Sequence, residues 1–189
     1  INDKIDQGDI ISQSVINLEN ETTAAQLHNN MIKVGSELMI DTLNNIFSNT
    51  FNTTKQPLCK KLNKAPKINS QTTRINWSNS LQEINNLVRG LSPYISNNNF
   101  LKDKAKCPGA WFFLELDGKR KRIKIIKSKL ETSDKNSNFH IDTDNKTYLK
   151  IHKKLQSISL EFLQMEGKRI MPISEFLLGN PIYPKCRFI

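Results

Sequence analysis

Trp111-Phe112-Phe113-Leu114-Glu115-Leu116, then Asp117-Gly118, then Arg122-Ile123-Lys124-Ile125-Ile126: this stretch decides the fold. Two runs rich in aromatic and β-branched residues flank an Asp-Gly pair, which suits a hairpin turn because tight turns need positive φ. Within the second run Lys124 alternates with Ile123 and Ile125, so it falls on the face opposite the core. Further strands are expected at Phe139–Asp142, Tyr148–His152 and Ser157–Phe162, with a short helix at about Ile173–Leu178, ended by Gly179.

Upstream of the hairpin, a helix is expected to start at Ser80. Ser80 and Glu83 have the capping-box spacing, in which each side chain satisfies a backbone donor near the other. Leu81, Ile84, Leu87, Val88 and Leu91 make one apolar face, and Gly90 with Pro93 ends the helix. One helix with about five short strands suggests a small OB-like β-barrel, a fold that commonly binds nucleic acid without proving that function. Residues 48–72 lack periodicity and contain Pro57 and Pro66 as breakers, which reads as a linker because compact domains rarely hold so long a loop. Its basic cluster is Lys55, Lys60, Lys61, Lys64 and Lys67.

Earlier still, residues 1–9 read as a loop and Ile10 to Ile16 as a strand. Asn20-Glu21-Thr22-Thr23 offers helix-start chemistry, because small oxygen side chains cap orphan N–H groups. Leu27, Met31, Val34, Leu38, Thr42 and Ile46 follow helical spacing to about Phe47. This is the pattern of a long amphipathic helix in an α/β layer, its apolar stripe expected to be core packing. The organisation expected is residues 1–50 as the end of an α/β domain, 51–72 as a basic linker, and 73–189 as the OB-like domain.

The chain has 189 residues, 37 % hydrophobic and 24 % charged, a composition that suits a soluble globular protein. No apolar run approaches the roughly 18–20 residues that a membrane-spanning helix needs. The opening Ile1-Asn2-Asp3-Lys4 has no apolar segment of the secretory kind, and together with the lack of an initial Met it leads us to expect a piece of a longer chain. Cys59, Cys107 and Cys186 are odd in number and far apart, which argues for a reducing compartment. They do not cluster with His28, His140 or His152, so no metal site is expected. The Asn-x-Ser/Thr triplets at Asn20, Asn52, Asn76 and Asn145 are read as composition in an Asn-rich cytoplasmic chain.

Net charge is +10, unevenly spread. Residues 1–65 carry six Lys/Arg against seven Asp/Glu, whereas residues 66–189 carry 22 against 11, a net of +11. Such asymmetry is the footprint of a domain that meets phosphate, or else a lysine-rich solubilising surface. The densest basic patch is on the hairpin: Lys119, Arg120, Lys121, Arg122, Lys124, Lys127 and Lys129. An edge strand kept soluble by lysine would look the same.

Several segments, taken in order, resemble the methionyl-tRNA formyltransferase family. Lys4-Ile5-Asp6-Gln7-Gly8-Asp9-Ile10-Ile11 is similar to its Leu-Asp-Thr-Gly-Asp loop, with Gln7 where Thr is usual. Ala65-Pro66-Lys67-Ile68 and Arg74-Ile75-Asn76-Trp77-Ser78 resemble the motif that introduces its C-terminal domain, with Asn76 where Asp is common. Val88-Arg89-Gly90-Leu91-Ser92-Pro93-Tyr94, Pro108-Gly109-Ala110-Trp111, and Leu163-Gln164 through Gly167-Lys168-Arg169 to Phe176-Leu177 continue the match. Residues 95–107 interrupt a stretch that is usually continuous and are expected to be a surface loop. The tail after Asn180 matches no family segment.

The resemblance implies a fold and a reaction. The fold is the tail end of a Rossmann-like formyltransferase domain followed by an OB-like barrel. The reaction is transfer of a formyl group from 10-formyltetrahydrofolate to the amine of methionyl initiator tRNA. The family's catalytic Asp corresponds to Asp6, and Asn2, Asp3, Lys4 and Ile5 would border the pterin ring. An ordinary turn-stabilising Asp is the alternative for Asp6. The family's Asn and His, which serve the oxyanion, belong to an Asn-x-His-Pro-Ser-Leu-Leu-Pro segment that precedes the Asp6 loop, so this polypeptide alone is expected to be inactive. Lys60, Lys61, Lys64, Lys67, Lys119, Arg120, Lys121, Arg122, Lys124 and Lys127 are the residues expected to hold tRNA. A cytoplasmic monomer without metal is expected. A sugar-nucleotide formyltransferase and a non-catalytic basic RNA-binding module are the competing readings.

Overall fold

From Ala110 to Leu116 and from Lys119 onward, the chain forms the hairpin its residues dictate. Trp111 lies opposite Lys124, Phe112 opposite Ile123 and Phe113 opposite Arg122. Gly118 at the turn has φ +72°, the left-handed region where glycine carries no Cβ penalty. The computed structural model describes residues 5–56, 64–102, 106–116 and 118–189. In chain order its elements are α1 (Ala24–Phe47), α2 (Leu81–Leu91), β1 (Tyr94–Ser96), β2 (Asn99–Phe100), β3 (Ala110–Leu116), β4 (Lys119–Thr143), β5 (Leu149–Met165), β6 (Ile170–Pro172), α3 (Ile173–Gly179) and β7 (Arg187–Phe188).

These residues fall into two compact units. One comprises Ile1–Glu19 and Leu27–Lys67; the other comprises Asn20–Gln26 and Ile68–Ile189. The second unit holds the core. Its sheet is antiparallel and five-stranded, in the order β6-β5-β4-β3-β7. Where the sequence suggested several short strands there are two long ones, β4 of 25 residues and β5 of 17.

A straight strand from Ile123 to Phe139 would span about 50 Å at the usual rise per residue. Yet the Phe139 ring lies 5.8 Å from Trp77, and Trp77 lies 5.2 Å from Phe112, the cross-strand partner of Ile123. The strand must therefore curl back on itself. Register shifts between Ile125 and Lys127, and between Thr132 and His140, supply the bends, since a bulge kinks a strand and increases its twist. The result is a curled antiparallel sheet. Ile123, Ile125, Leu149, Ile151, Ile158 and Leu163 line its concave side, against the apolar face of α2 and Phe176 and Leu177 of α3. α2 starts as expected: Ser80 Oγ accepts from Glu83 N, and Ser80 N donates to the Glu83 carboxylate.

Residues 95–107 are more than the expected surface loop. β1 and β2 pair across Asn97 and Asn98, with φ of 43° and 62°, a conformation Asn tolerates better than most residues. The rings of Tyr94, Phe100 and Phe162 sit 5.6–5.8 Å apart and fix this small hairpin to the convex side of the sheet.

The first unit differs more from expectation. α1 has the expected length, but within it only Ala25 is buried. Along the expected stripe Leu27, Val34, Leu38, Thr42 and Ile46 are half-buried and Met31 is 56 % exposed. Ile32, Met39, Ile40 and Phe47, outside it, are at least 57 % exposed, so the helix has a partly covered side rather than a full core face among the described residues. The strand expected from Ile10 to Ile16 is reduced to one bridge, Ile10 to Thr54, with both N–H···O bonds at 2.8 Å. Among the described residues no helix is long and apolar enough to cross a membrane.

Candidate nucleic-acid interface and acidic turn

Strand parity sorts the basic hairpin into two sets. Lys121 shares its parity with buried Ile123 and Ile125, and its Nζ donates to Asn180 Oδ1 at 3.1 Å. Arg122 and Lys124 face the other way. At Ile126 the strand bulges, and Ser128 rather than Lys127 takes the next inward position at 2 % exposure. Lys127 and Lys129 thereby join the convex face with Arg122 and Lys124. Lys119 is exposed beside the turn, opposite Leu116, and Arg120 is tied to Glu115 at 3.2 Å.

Two aromatic residues organise this face. Trp111 and Phe113 lie edge to face, 5.1 Å apart. The Arg122 guanidinium lies 4.1 Å from the Trp111 ring centre, and that of Arg74 lies 5.6 Å from both rings. Trp111 is itself fixed, its indole N–H donating to Ser70 O at 3.0 Å and to Thr73 Oγ1 at 3.1 Å. A guanidinium resting on an aromatic face keeps its N–H edge available to an anion and loses little freedom on binding one. Beside it, Arg122, Lys124, Gln164, Glu166 and Gly167 line a small cleft of about 200 Å³. The two cations suit phosphate oxygens, with Glu166 as the acidic residue among them.

Further along, Lys127 pairs with Glu161 at 2.7 Å and its Nζ lies 4.5 Å from the Tyr94 ring centre. Burial, the largest single influence on this amine, opposes its charge; Glu161 and Tyr94 together outweigh it and raise the pKa above the usual lysine value. Lys129 and Lys150 share Glu131, at 3.3 and 2.8 Å. The hydrogen bond from Lys150 holds the Glu131 carboxyl below its ordinary pKa despite an opposing desolvation cost. Part of the patch is thus neutralised locally, and the guanidinium groups of Arg74 and Arg122 on the Trp111 ring mark its centre, with Lys124 beside Arg122.

Arg74 was not singled out as a site residue. In sequence it stands out only as a member of the Arg74-Ile75-Asn76-Trp77 motif. Its position comes from a parallel bridge to Trp111, with Ile75 N donating to Trp111 O at 2.7 Å, a long-range pairing that no local pattern signals. Of the linker lysines, Lys60 and Lys61 lie outside the described residues, and Lys64 and Lys67 are exposed in irregular backbone of the first unit.

Asp6 sits in a turn with φ +58°, a left-handed conformation that Asp adopts more readily than most residues. Gln56 Nε2 pins the turn by donating to Asp6 O at 3.2 Å and Gly8 O at 2.6 Å. The Asp6 side chain is exposed, and Ile5 beside it is 88 % exposed. Asn2, Asp3 and Lys4 lie outside the described residues.

Residues 67–181 match the family model of the formyl transferase C-terminal domain. The chain is 36 % identical over 179 residues to a methionyl-tRNA formyltransferase of Flavobacterium johnsoniae, covering 95 % of this chain and 53 % of that one. To a methionyl-tRNA formyltransferase of Azobacteroides pseudotrichonymphae it is 33 % identical over 184 residues, covering 94 % and 53 %. The chain thus spans about half the length of the curated relatives it matches. Among solved structures it resembles an N-formyltransferase from Helicobacter canadensis, solved with folinic acid and dTDP-3-aminofucose, with a TM-score of 0.56 and 22 % identity over 85 % of this chain and 52 % of that one. It also resembles a HypX variant from Aquifex aeolicus, with a TM-score of 0.60 and 16 % identity over 95 % and 29 %. At these identities the structural likenesses concern the fold alone. The curled sheet, its motifs and the extent of the match agree: the chain belongs to the formyl transferase C-terminal domain family.

Proposed function

We propose that the chain serves a methionyl-tRNA formyltransferase, moving a formyl group from 10-formyltetrahydrofolate to the amine of methionyl initiator tRNA. In this reading residues 1–50 are the C-terminal end of a Rossmann-like donor domain, 51–72 a basic linker, and 73–189 an OB-like domain that holds tRNA, in a cytoplasmic monomer. The observation that carries it is the convex face on which Arg74 and Arg122 rest against Trp111, with Lys124 alongside. Phosphate contacts of this kind supply affinity without sequence preference and weaken as salt rises. Lys60, Lys61, Lys64 and Lys67 would add to them from the linker.

The chemistry is acyl transfer. The methionyl amine attacks the formyl carbon, the carbonyl oxygen becomes an oxyanion, and the attacking amine must shed a proton. Asp6 is the group assigned to orient a water or relay that proton. Its support is the family resemblance and the Gln56-pinned turn, which leaves the carboxylate exposed. Asn2 to Ile5 are assigned to the edge of the folate substrate by resemblance. The oxyanion donors belong, by the same resemblance, to a segment preceding the Asp6 loop, so the 189-residue polypeptide alone is expected not to formylate charged tRNA.

Binding to initiator and elongator tRNA across a salt series tests the reading. Tight binding at low salt, falling steeply as salt rises and with little preference between the two tRNAs, is expected. Absence of binding at low salt would reduce the positive charge to solubilisation and move a sugar-nucleotide acceptor ahead.

A further inference from the structure

The tail from Ile182 to Ile189 lies beyond the family-matched residues 67–181, and its end borders the cationic face: Ile189 exchanges backbone hydrogen bonds with Phe113, and Phe188 and Ile189 share a cleft with Arg74. It is nonetheless firmly built. The Asn145 side chain clamps its start, accepting from Ile182 N at 2.7 Å and donating to Ile182 O at 3.1 Å. Its end pairs with β3 as β7, and the Phe188 ring stacks on Phe112 at 4.9 Å and 8°. Between this tail and the far end of β4 runs a groove of about 880 Å³. Phe139 on one side and Tyr183 on the other line it, 40 % and 55 % exposed.

The cations at the groove come from the tail: Arg187 lines it, opposite Glu115 of β3, and Lys185 is exposed within the same tail, while Asp142 is the carboxylate among the lining residues. That carboxylate is engaged, accepting from the Tyr148 hydroxyl at 3.1 Å and facing His152 Nε2 at 3.4 Å. Exposed rings beside cations are what a nucleic-acid base needs once it has left its stack; a duplex, whose bases are already stacked, cannot use them.

We propose that this groove binds a short unpaired RNA segment, its bases against Tyr183 and Phe139 and its phosphates toward Arg187. The proposal rests on the RNA-binding reading and adds to it a second, single-strand site on the Tyr183 side of the tail, which borders the Arg74–Arg122 face through Phe188 and Ile189. A partner peptide is the competing occupant. The tail's cations and the +11 of residues 66–189 favour RNA.

The test measures fluorescence anisotropy of labelled hexauridylate and of a blunt RNA duplex with the full 189-residue chain at low salt. Tyr183→Ala and Arg187→Ala alter exposed side chains and are checked for unchanged thermal melting. Each is expected to weaken the hexamer about five- to tenfold, the scale of one lost stacking or cationic contact, while duplex binding stays within about twofold. Arg122→Ala with Lys124→Ala should do the reverse. Duplex binding without hexamer binding, or a hexamer indifferent to both tail substitutions, overturns the groove site and leaves the cationic face standing. Failure of both probes overturns both readings, and tighter binding of a proline-rich peptide than of the hexamer overturns the RNA assignment of the groove.

Discussion

Asp144 illustrates how much a single exposed side chain can organise. Its carboxylate accepts from Thr147 N at 2.7 Å, Lys146 N at 2.9 Å, Tyr148 N at 3.2 Å and Thr147 Oγ1 at 2.6 Å, closing the turn between β4 and β5. The Thr147 hydroxyl, then the backbone donors, hold its pKa far below the usual carboxylate range. A depressed folded pKa contributes stability that is present above the unfolded value and is lost as pH falls toward the folded one. Asp144→Asn should therefore be less stable than the wild type at pH 7, with the gap narrowing steadily below about pH 3.9. Urea melts at pH 7 and pH 2.5 that differ by the same amount would refute this. On the convex face, Arg122→Gln should weaken binding to tRNA whatever its sequence and lower the log–log salt slope by about one. An unchanged slope would mean that Arg122 meets no phosphate. Alternation alone was enough to separate Lys124 from its apolar neighbours, because strand parity is local. Arg74 could not be found that way, since Trp111 is 37 positions further along the chain and only the fold joins them.

At the scale of elements, what was legible is what neighbours in sequence decide. The Ser80–Glu83 box needs only residues three apart, and it is formed, with Glu83 held below its ordinary pKa by the Ser80 hydroxyl and then by the Ser80 backbone N–H. Ser80→Ala should cost about 1 kcal/mol, read from urea denaturation, because the Glu83 backbone donor loses its partner. A loss of nearly zero would show that tertiary packing of Leu81, Ile84 and Val88 alone holds the first turn. The hairpin register was legible for the same reason, as aromatic and β-branched alternation on both sides of Asp-Gly leaves little freedom. The length and curl of β4 were not. They depend on Trp77 touching Phe112, Phe139 and Phe188, rings from four separated segments, and on bulges that sequence does not mark. Composition misleads at residues 95–100: polar Asn97 and Asn98 have the composition of a loop, but they are the positive-φ turn of a hairpin whose anchors, Tyr94 and Phe100, flank them.

For the whole molecule, the two units should differ in stability because they differ in burial. The second contains the core cluster around Ile123, Ile151 and Phe176, each at most 1 % exposed. In the first, α1 runs from the packed Ala25 to Phe47 at 82 % exposure with no buried residue between them, and Ile10 and Thr54 contribute one isolated bridge. Helical spacing showed that α1 would be a helix, since periodicity is local; it could not show what covers the apolar side, which depends on partners elsewhere. Isolated helices in water are marginal, and most helical stability in proteins comes from packing an apolar face. Local opening should therefore reach the backbone of α1 well before the sheet. Limited proteolysis of the 189-residue chain should cut first within residues 27–67 and leave a resistant fragment of about residues 68–189, identified by intact mass. Survival of α1 as long as the sheet would mean that its exposed Met31, Ile32, Met39 and Ile40 are covered in solution, and a sedimentation measurement would then report self-association.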